Sequence, residues 1–395
     1  MAAVLRLFLI LPLLPLLAAC ERQPPEPLLE LEAVTFEALE GWREDDPRPA
    51  LAALLRSCAV FARRPDARAL GGDPRFGTYG LWKGICAEAR TLAHAAGAEE
   101  VRRFFETRFR PWRVSDRGDA EGLFTGYYEP LLHGARRPSE RYRYPIYRRP
   151  PELVMVDLGR FVPELRGRRI AGRLDGGWLE PFADRATIER GLLAGRGLEI
   201  AWVDDPIALF FLHIQGSGRI RFEDGTSIRV GYDGWNGHPY RAIGRDLVEM
   251  GEIPREEISL FSIRTWLQAH PERARELMNR NRSYVFFRVL EGLDEAEGPL
   301  GSLGVPLTPG RSLAVDRHFI PLGLPLWLET TAPYPDGPRP LRRLVVAQDT
   351  GGAIRGVVRG DLFWGDGARA EYLAGHMKSR GRYYLLLPRR REPVS

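Results

Sequence analysis

Three aspartates stand out between residues 313 and 366. Asp316 lies in Ala314-Val-Asp-Arg-His-Phe-Ile-Pro-Leu-Gly323, and Asp349 in Val346-Ala-Gln-Asp-Thr-Gly-Gly-Ala-Ile-Arg-Gly356. Asp361 lies in Arg359-Gly-Asp-Leu-Phe-Trp-Gly365. Each follows or adjoins a short apolar run and is flanked by Gly or Pro. Such a strand end holds a side chain while backbone approaches a ligand closely. Carboxyls placed this way do acid–base chemistry. A free aspartic acid titrates near ~3.9 and is ionised at neutral pH, so an acid role needs a raised pKa. Burial and a second carboxylate both push it up. Leu362, Phe363 and Trp364 would give Asp361 an apolar setting, and Asp349 would give the neighbouring charge.

Other chemistries find little support. The seven histidines form no short metal-ligand pair such as HExxH. His318, two residues after Asp316, reads as a hydrogen-bonding residue rather than a ligand. Gly216-Ser217-Gly218 lacks the frame of a nucleophile elbow, and no Lys-Ser/Thr follows Gly351-Gly352 as a phosphate loop requires. Neither a metal nor a cofactor is expected. The net charge of +5 rests on arginine, since Lys83 and Lys378 are the only lysines. Acidic residues are interspersed throughout, which argues against a nucleic-acid partner. The runs Arg136-Arg137, Arg148-Arg149 and Arg389-Arg-Arg391 read as solvated surface.

The elements that must position these groups alternate in texture. Residues 36–110 read as helical, with apolar spacing in Pro49–Arg64 and Thr91–Arg110. From about residue 120 short β-rich runs take over, including Gly122–Tyr128, Tyr144–Tyr147, Leu209–Ile214 and Ile228–Val230. Helical patterns return at Ala242–Met250 and Ser262–Asn279, the latter divided at Pro271. Strands are expected again at Val285–Val289, Pro325–Leu328, Leu344–Ala347 and Tyr383–Leu387. The order helices, β, helices, β predicts a mostly β, α+β chain, with one domain inserted in another.

The run Asp349-Thr-Gly-Gly-Ala-Ile-Arg-Gly356 followed by Asp361 resembles the three-aspartate (3D) domain, whose fold is a double-psi β-barrel. Phe124-Thr-Gly-Tyr-Tyr-Glu-Pro130, His213-Ile-Gln-Gly-Ser-Gly218 and Asn236-Gly-His-Pro-Tyr-Arg-Ala-Ile-Gly244 are similar to the membrane-bound lytic murein transglycosylase A (MltA) family. Asn281-Arg-Ser-Tyr-Val-Phe-Phe287 is similar to a further stretch of it. The resemblance implies a barrel domain from residues 36–130 and 276–395, with helices at its N-terminal part. An inserted, β-barrel-like substrate-binding domain would span 131–275, with a glycan groove between the two. It also implies a carbon–oxygen lyase that cuts the β-1,4 bond between N-acetylmuramic acid and N-acetylglucosamine and leaves 1,6-anhydro ends. One carboxyl suffices, protonating the leaving oxygen and then accepting the C6 hydroxyl proton; two-carboxylate hydrolases need a second group. By position in the motif Asp361 is the acid, with Asp349 and Asp316 in support. Tyr127, Tyr128, Gln215, Ser217, Asn236, His238, Tyr240 and Gly352 are the substrate-binding candidates, and Gly126, Gly216 and Gly218 would let backbone come close. A muramidase-type hydrolase and a non-catalytic wall-binding lipoprotein are the alternatives.

The first twenty residues read as an export signal: Arg6, a short apolar run to Leu17, then Ala18-Ala19-Cys20. The last four resemble a lipoprotein box with Cys20 as the lipidated residue. Glu21 in place of Asp favours anchoring on the periplasmic face of the outer membrane. Residues 21–35, with Pro24, Pro25 and Pro27, read as a tether. Cys58 and Cys86 remain, either as one disulfide or as two separately buried thiols. The expected partners are peptidoglycan strands and the lipid surface, for a monomer open to recruitment by wall-synthesis proteins.

Overall fold

The computed structural model describes residues 26–92, 96–165, 167–292 and 297–389; the signal segment and Cys20 lie outside the described residues. The chain begins with β1 (Leu29–Ala33), α1 (Arg48–Phe61), α2 (Tyr79–Thr91), α3 (Ala98–Arg108), β2 (Phe109–Asp116) and β3 (Gly122–Glu129). It continues through β4 (Leu131–Ala135), β5 (Tyr144–Tyr147), β6 (Val154–Asp157), β7 (Arg169–Asp175) and β8 (Trp178–Glu180). The single turn α4 (Arg185–Thr187) leads to β9 (Glu199–Val203), α5 (Pro206–Gln215), β10 (Ser217–Phe222) and β11 (Ser227–Trp235). Helices α6 (Ile243–Glu249), α7 (Leu260–Ala269) and α8 (Pro271–Arg280) precede β12 (Val285–Leu290). The last part holds β13 (Ser312–Val315), β14 (Pro325–Tyr334), β15 (Gly337–Asp349), β16 (Arg359–Asp366), α9 (Gly367–His376) and β17 (Lys378–Pro388).

Strands β17-β14-β15-β13-β16-β3 form a ring, because β3 pairs with β17 as well as β16. Two of its pairings, β13–β15 and β16–β3, are parallel and the others antiparallel. This closed, mixed six-stranded barrel accords with a double-psi barrel, and β2 and β1 extend it from β17. A second sheet runs β12-β11-β10-β4-β9-β5, and a bridge from Arg148 to Phe287 brings its two ends together. The meander β6-β7-β8 stands beside it. The chain is thus mostly β with helices packed around two β bodies.

The main core joins the N-terminal helices to the barrel. Trp82, Phe61, Phe105 and Phe109 pack with Trp327, Leu326 and Leu344 from the strands, all essentially buried. Each such side chain contributes roughly 1.5–3 kcal/mol on leaving water. Cys58 and Cys86 are joined, linking α1 to α2. Gln348 is fully buried but satisfied. Its Nε2 donates to the Ala53 carbonyl (2.7 Å) and Ser57 Oγ (2.9 Å), while Oε1 accepts from Ser312 Oγ (2.6 Å). This clamp fixes the end of β15 against α1, one residue before Asp349.

Two expectations are corrected. Leu209–Ile214 is helical, inside α5, rather than a strand. Asp205 caps the helix through Ile207 N (2.7 Å) and Pro206 opens its first turn, while Gly216 ends it at φ 77°. A six-residue apolar run carries no periodicity that separates the two structures. Likewise, the expected tether contains a strand, since Leu29–Ala33 pairs antiparallel with β2. Its Leu-Glu-Leu-Glu-Ala alternation matches the two-residue strand period.

Candidate active site

Asp361 sits on β16 opposite Ala314 of β13 and Thr125 of β3, so the barrel ring itself sets its place. Its residue keeps a partly accessible surface, although protein crowds the carboxyl. Among the described residues only Thr125 bonds it, Oγ1 donating to Oδ1 at 2.6 Å. Arg359 Nη2 donates to the same Thr125 oxygen at 2.8 Å. Burial raises the Asp361 pKa to about 6, against the lowering influence of the Thr125 bond and Arg359, with the charge of Asp349 adding to the rise. The group is therefore poised to hold or release a proton near neutral pH.

Asp349, at the end of β15, is held quite differently. Its Oδ2 accepts from the Tyr127 hydroxyl (2.8 Å), and Oδ1 accepts from Ser302 N, Ser302 Oγ and Thr350 N, each at 2.8 Å. Burial pushes this carboxyl upward too, opposed by those four donors. A carboxyl that only accepts hydrogen bonds is wired as an anion. Tyr127 is buried against Phe363, ring centroids 5.3 Å apart. Burial and Asp349 hold its phenol well above the usual range, so it stays a donor. One floating acid beside one fixed carboxylate is the arrangement by which proteins assign acid and base roles.

Asp316 has partners of its own. It is buried, accepts from His318 N (3.1 Å) and Gly356 N (3.0 Å), and pins the turn after β13 to the loop before β16. The other candidates divide. Tyr128 is buried, donating to Glu371 Oε1 (2.9 Å), which also pairs with Arg264 (2.6 Å); this ties β3 to α9 and α7. Gln215, the last residue of α5, accepts from Tyr128 N at 3.3 Å and so stands at the junction of the two bodies. Ser217 is buried where β10 begins. Asn236 is fully buried, giving Nδ2 to the carbonyls of Ala183 and Arg282 and taking Tyr284 N at Oδ1, all at 2.9 Å. His238 bonds the Phe182 carbonyl through Nε2 at 2.7 Å. Both side chains clasp backbone. Tyr240 is exposed over 45% of its area, and Gly352 is exposed on the loop following Asp349.

The glycines do related work. A Cβ on Gly126 would lie 2.6 Å from Trp364 Nε1 and 3.0 Å from Ala374 Cα, so only glycine lets α9 and Trp364 approach β3. Gly218 similarly admits Leu212 and the Pro130 carbonyl. The close approach is protein to protein.

Sequence reasoning missed Thr125, Arg359, Ser302 and Tyr232. Thr125 and Arg359 stood inside the quoted motifs, but nothing local marks them as partners of Asp361. Ser302 carries no sequence signal. Tyr232, on β11 beside Gly216, is 44% exposed, and its ring is an open flat face on the insert side. The alternation of Tyr232 with buried Gly231 in β11 is the available clue.

At the junction, Glu129 is buried and paired with Arg219 (2.9 Å) and Arg229 (2.8 Å), and Arg219 also reaches Asp366 at 3.0 Å. This network fixes β3 and β16 to β10 and β11. Among the described residues no cluster of three or more His, Cys, Asp or Glu side chains is placed to hold a metal. No described helix is long and apolar enough to cross a membrane.

Residues 123–288 match the MltA specific insert domain and residues 311–387 match the 3D domain. Over 277 residues the chain is 34% identical to membrane-bound lytic murein transglycosylase A of Vibrio cholerae, a stretch covering 68% of this chain and 67% of that protein. The crystal structure of membrane-bound lytic murein transglycosylase from Agrobacterium tumefaciens superposes with a TM-score of 0.78 at 38% identity, covering 91% of this chain and 98% of that one. Escherichia coli MltA with bound chitohexaose gives a TM-score of 0.66 at 26% identity, over 92% and 95% of the two chains. With both domain types in place around the Asp361–Asp349 pair, the chain belongs to the membrane-bound lytic murein transglycosylase A family, lyases acting on peptidoglycan.

Proposed function

We propose that this enzyme cleaves the β-1,4 bond between N-acetylmuramic acid and N-acetylglucosamine without adding water. Asp361 first donates its proton to the departing glycosidic oxygen. As carboxylate it then takes the proton of the C6 hydroxyl while that oxygen closes on C1, leaving a 1,6-anhydro end. The observation that carries this reading is the asymmetry of the two carboxyls: Asp361 has one donor and a pKa near 6, Asp349 has four donors. Asp349 serves as a fixed anion that steadies positive charge developing at the sugar and adds to the rise of the Asp361 pKa. With its oxygens occupied, it is poorly equipped to activate a water, which favours the lyase over a hydrolase. Binding of the six-sugar chitohexaose by the Escherichia coli relative supports an extended glycan site here. Tyr232, Gln215 and Tyr240 are the insert-side contacts, with Gly352 opposite.

We further place the enzyme on the periplasmic face of the outer membrane through lipid on Cys20, acting as a monomer open to recruitment by wall-synthesis proteins. Mass spectrometry of digested sacculi tests the chemistry, since anhydro ends lack the one water that reducing ends carry. Reducing ends as the main product would overturn the lyase mechanism. Muropeptide release by Asp361→Asn at the wild-type rate would overturn the assignment of the acid.

A further inference from the structure

We propose that Arg169, Arg317 and Arg355 form an anion-recognition subsite for the carboxylates of the peptide carried on muramic acid, making the enzyme prefer peptide-bearing over bare glycan. The inference rests on the peptidoglycan reading above and names which part of that substrate the second contact surface takes.

The three arginines come from three segments and converge where the two β bodies meet. Arg317, in the turn after β13, donates through Nη2 to the Gly167 carbonyl at 3.1 Å. A Cβ on Gly167 would lie 3.6 Å from His318 Nδ1 and 3.8 Å from Arg317 Nε, so this insert segment touches the barrel turn. Arg169 follows two residues later, exposed at the start of β7. Arg355 comes from the loop that leaves Asp349, its side chain 68% exposed, with Nη1 3.9 Å from Asp316 Oδ1. Burial and the nearby charges of Arg169 and Arg355 depress the Arg317 pKa, opposed by Asp157 and Asp316.

Those two carboxylates are already engaged. Asp157 accepts from Gly159 N (3.1 Å), and Asp316 accepts from the amides of His318 and Gly356. Among the described residues Arg169 makes no ion pair. Three guanidinium groups therefore share two carboxylates, Asp316 with Arg355 at 3.9 Å, which leaves one positive charge in excess for an incoming anion to balance. Guanidinium forks match carboxylates bidentately. The place also fits the substrate. Arg355 shares its loop with Gly352 and the Asp349 anchor, and Arg169 lies within electrostatic reach of Tyr232. A neutral chito-oligosaccharide has nothing for this subsite, whereas the lactyl-linked peptide of muramic acid presents free carboxylates.

The test uses the full chain with two soluble substrates: glycan strands carrying tetrapeptides, and the same strands stripped by an amidase with the lactyl carboxylates so exposed capped as amides. Affinity and kcat/KM are measured on both for wild type, Arg169→Ala/Arg355→Ala and the double lysine variant. The expected result is that the wild-type preference for peptide-bearing strands falls about five- to tenfold in the alanine variant, and that raised salt erodes it in wild type. Lysine should restore it in part. A wild type with no preference, or an alanine variant losing equally on both substrates, overturns the proposal. The affinity ratio reads the subsite whether or not the bond is cut. A wild type that binds selectively yet leaves no anhydro ends therefore refutes the cleavage mechanism alone.

Discussion

Asp361→Asn should abolish cleavage and at the same time stabilise the fold, with a pH signature fixed by the sign of the pKa shift. Burial moves the carboxyl from near 3.8 to about 6. Between those values the folded state binds more protons than the unfolded chain, so stability falls as pH rises through the window. The loss is complete above about pH 6. At 1.36 kcal/mol for each pH unit, its ceiling is about 3 kcal/mol, lowered by whatever water reaches the cleft. Asparagine keeps the shape and an acceptor for Thr125 but carries no charge. The variant should thus be more stable than wild type at pH 7.5 and nearly equal at pH 4. With roughly 2 °C per kcal/mol in a large domain, the Tm gap at pH 7.5 should be up to about 6 °C. Calorimetric scans of both proteins at the two pH values measure it. The reasoning fails if asparagine lowers Tm at pH 7.5, or if the gap is the same at pH 4.

Three further outcomes follow from the same geometry. Thr125→Val removes the bond that lowers the Asp361 pKa, so the alkaline limb of the kcat/KM profile should move to higher pH; an unmoved limb would show that Thr125 does not tune the acid. Cys58→Ser with Cys86→Ser should cost about 3 kcal/mol by freeing a loop of 28 residues of separation, read as a lower urea midpoint with activity per folded molecule retained. Gly126→Ala drives a methyl into Trp364 and α9; it should lower Tm by several degrees, and wild-type stability would show that the helix shifts freely.

The nearness of Asp349 to Asp361 was legible because both stand on one glycine-rich motif between two apolar strands. The barrel strands β14, β15 and β17 were legible because each holds a short, buried apolar run, at residues 325–328, 344–347 and 383–387. What surrounds the acid was not. Thr125 is 236 residues from Asp361 and Ser302 is 47 from Asp349, so their pairing exists only once β3 joins β16 and the 302 loop folds back. Asn236 and His238 looked like ligand contacts because polar residues near glycine suit a binding turn. Within the chain they bond carbonyls of Ala183, Arg282 and Phe182, and side-chain–backbone clasps leave no spacing signature. Helix α5 was obscured by composition: its apolar face is nearly all round, since the second sheet buries one side and helices α6–α8 the other. The strand Leu29–Ala33 was overlooked behind the prolines before it.

Strand β17 bonds to β14, β2 and β3 at once. Residues 378–388 thus complete a ring whose first member precedes them by more than 250 residues, as Arg380 meeting Leu123 shows. Until they arrive, β2 and β3 have open edges and the apolar wall of Leu326, Trp327 and Leu328 on β14 lacks its partner strand. Such closure is slow and leaves sticky intermediates. The bond between Cys58 and Cys86 lies wholly within what emerges first and can hold the helical lobe together through the wait. Folding of this chain is accordingly gated by its final strand, and trimming that strand should leave an aggregate rather than a weakened enzyme.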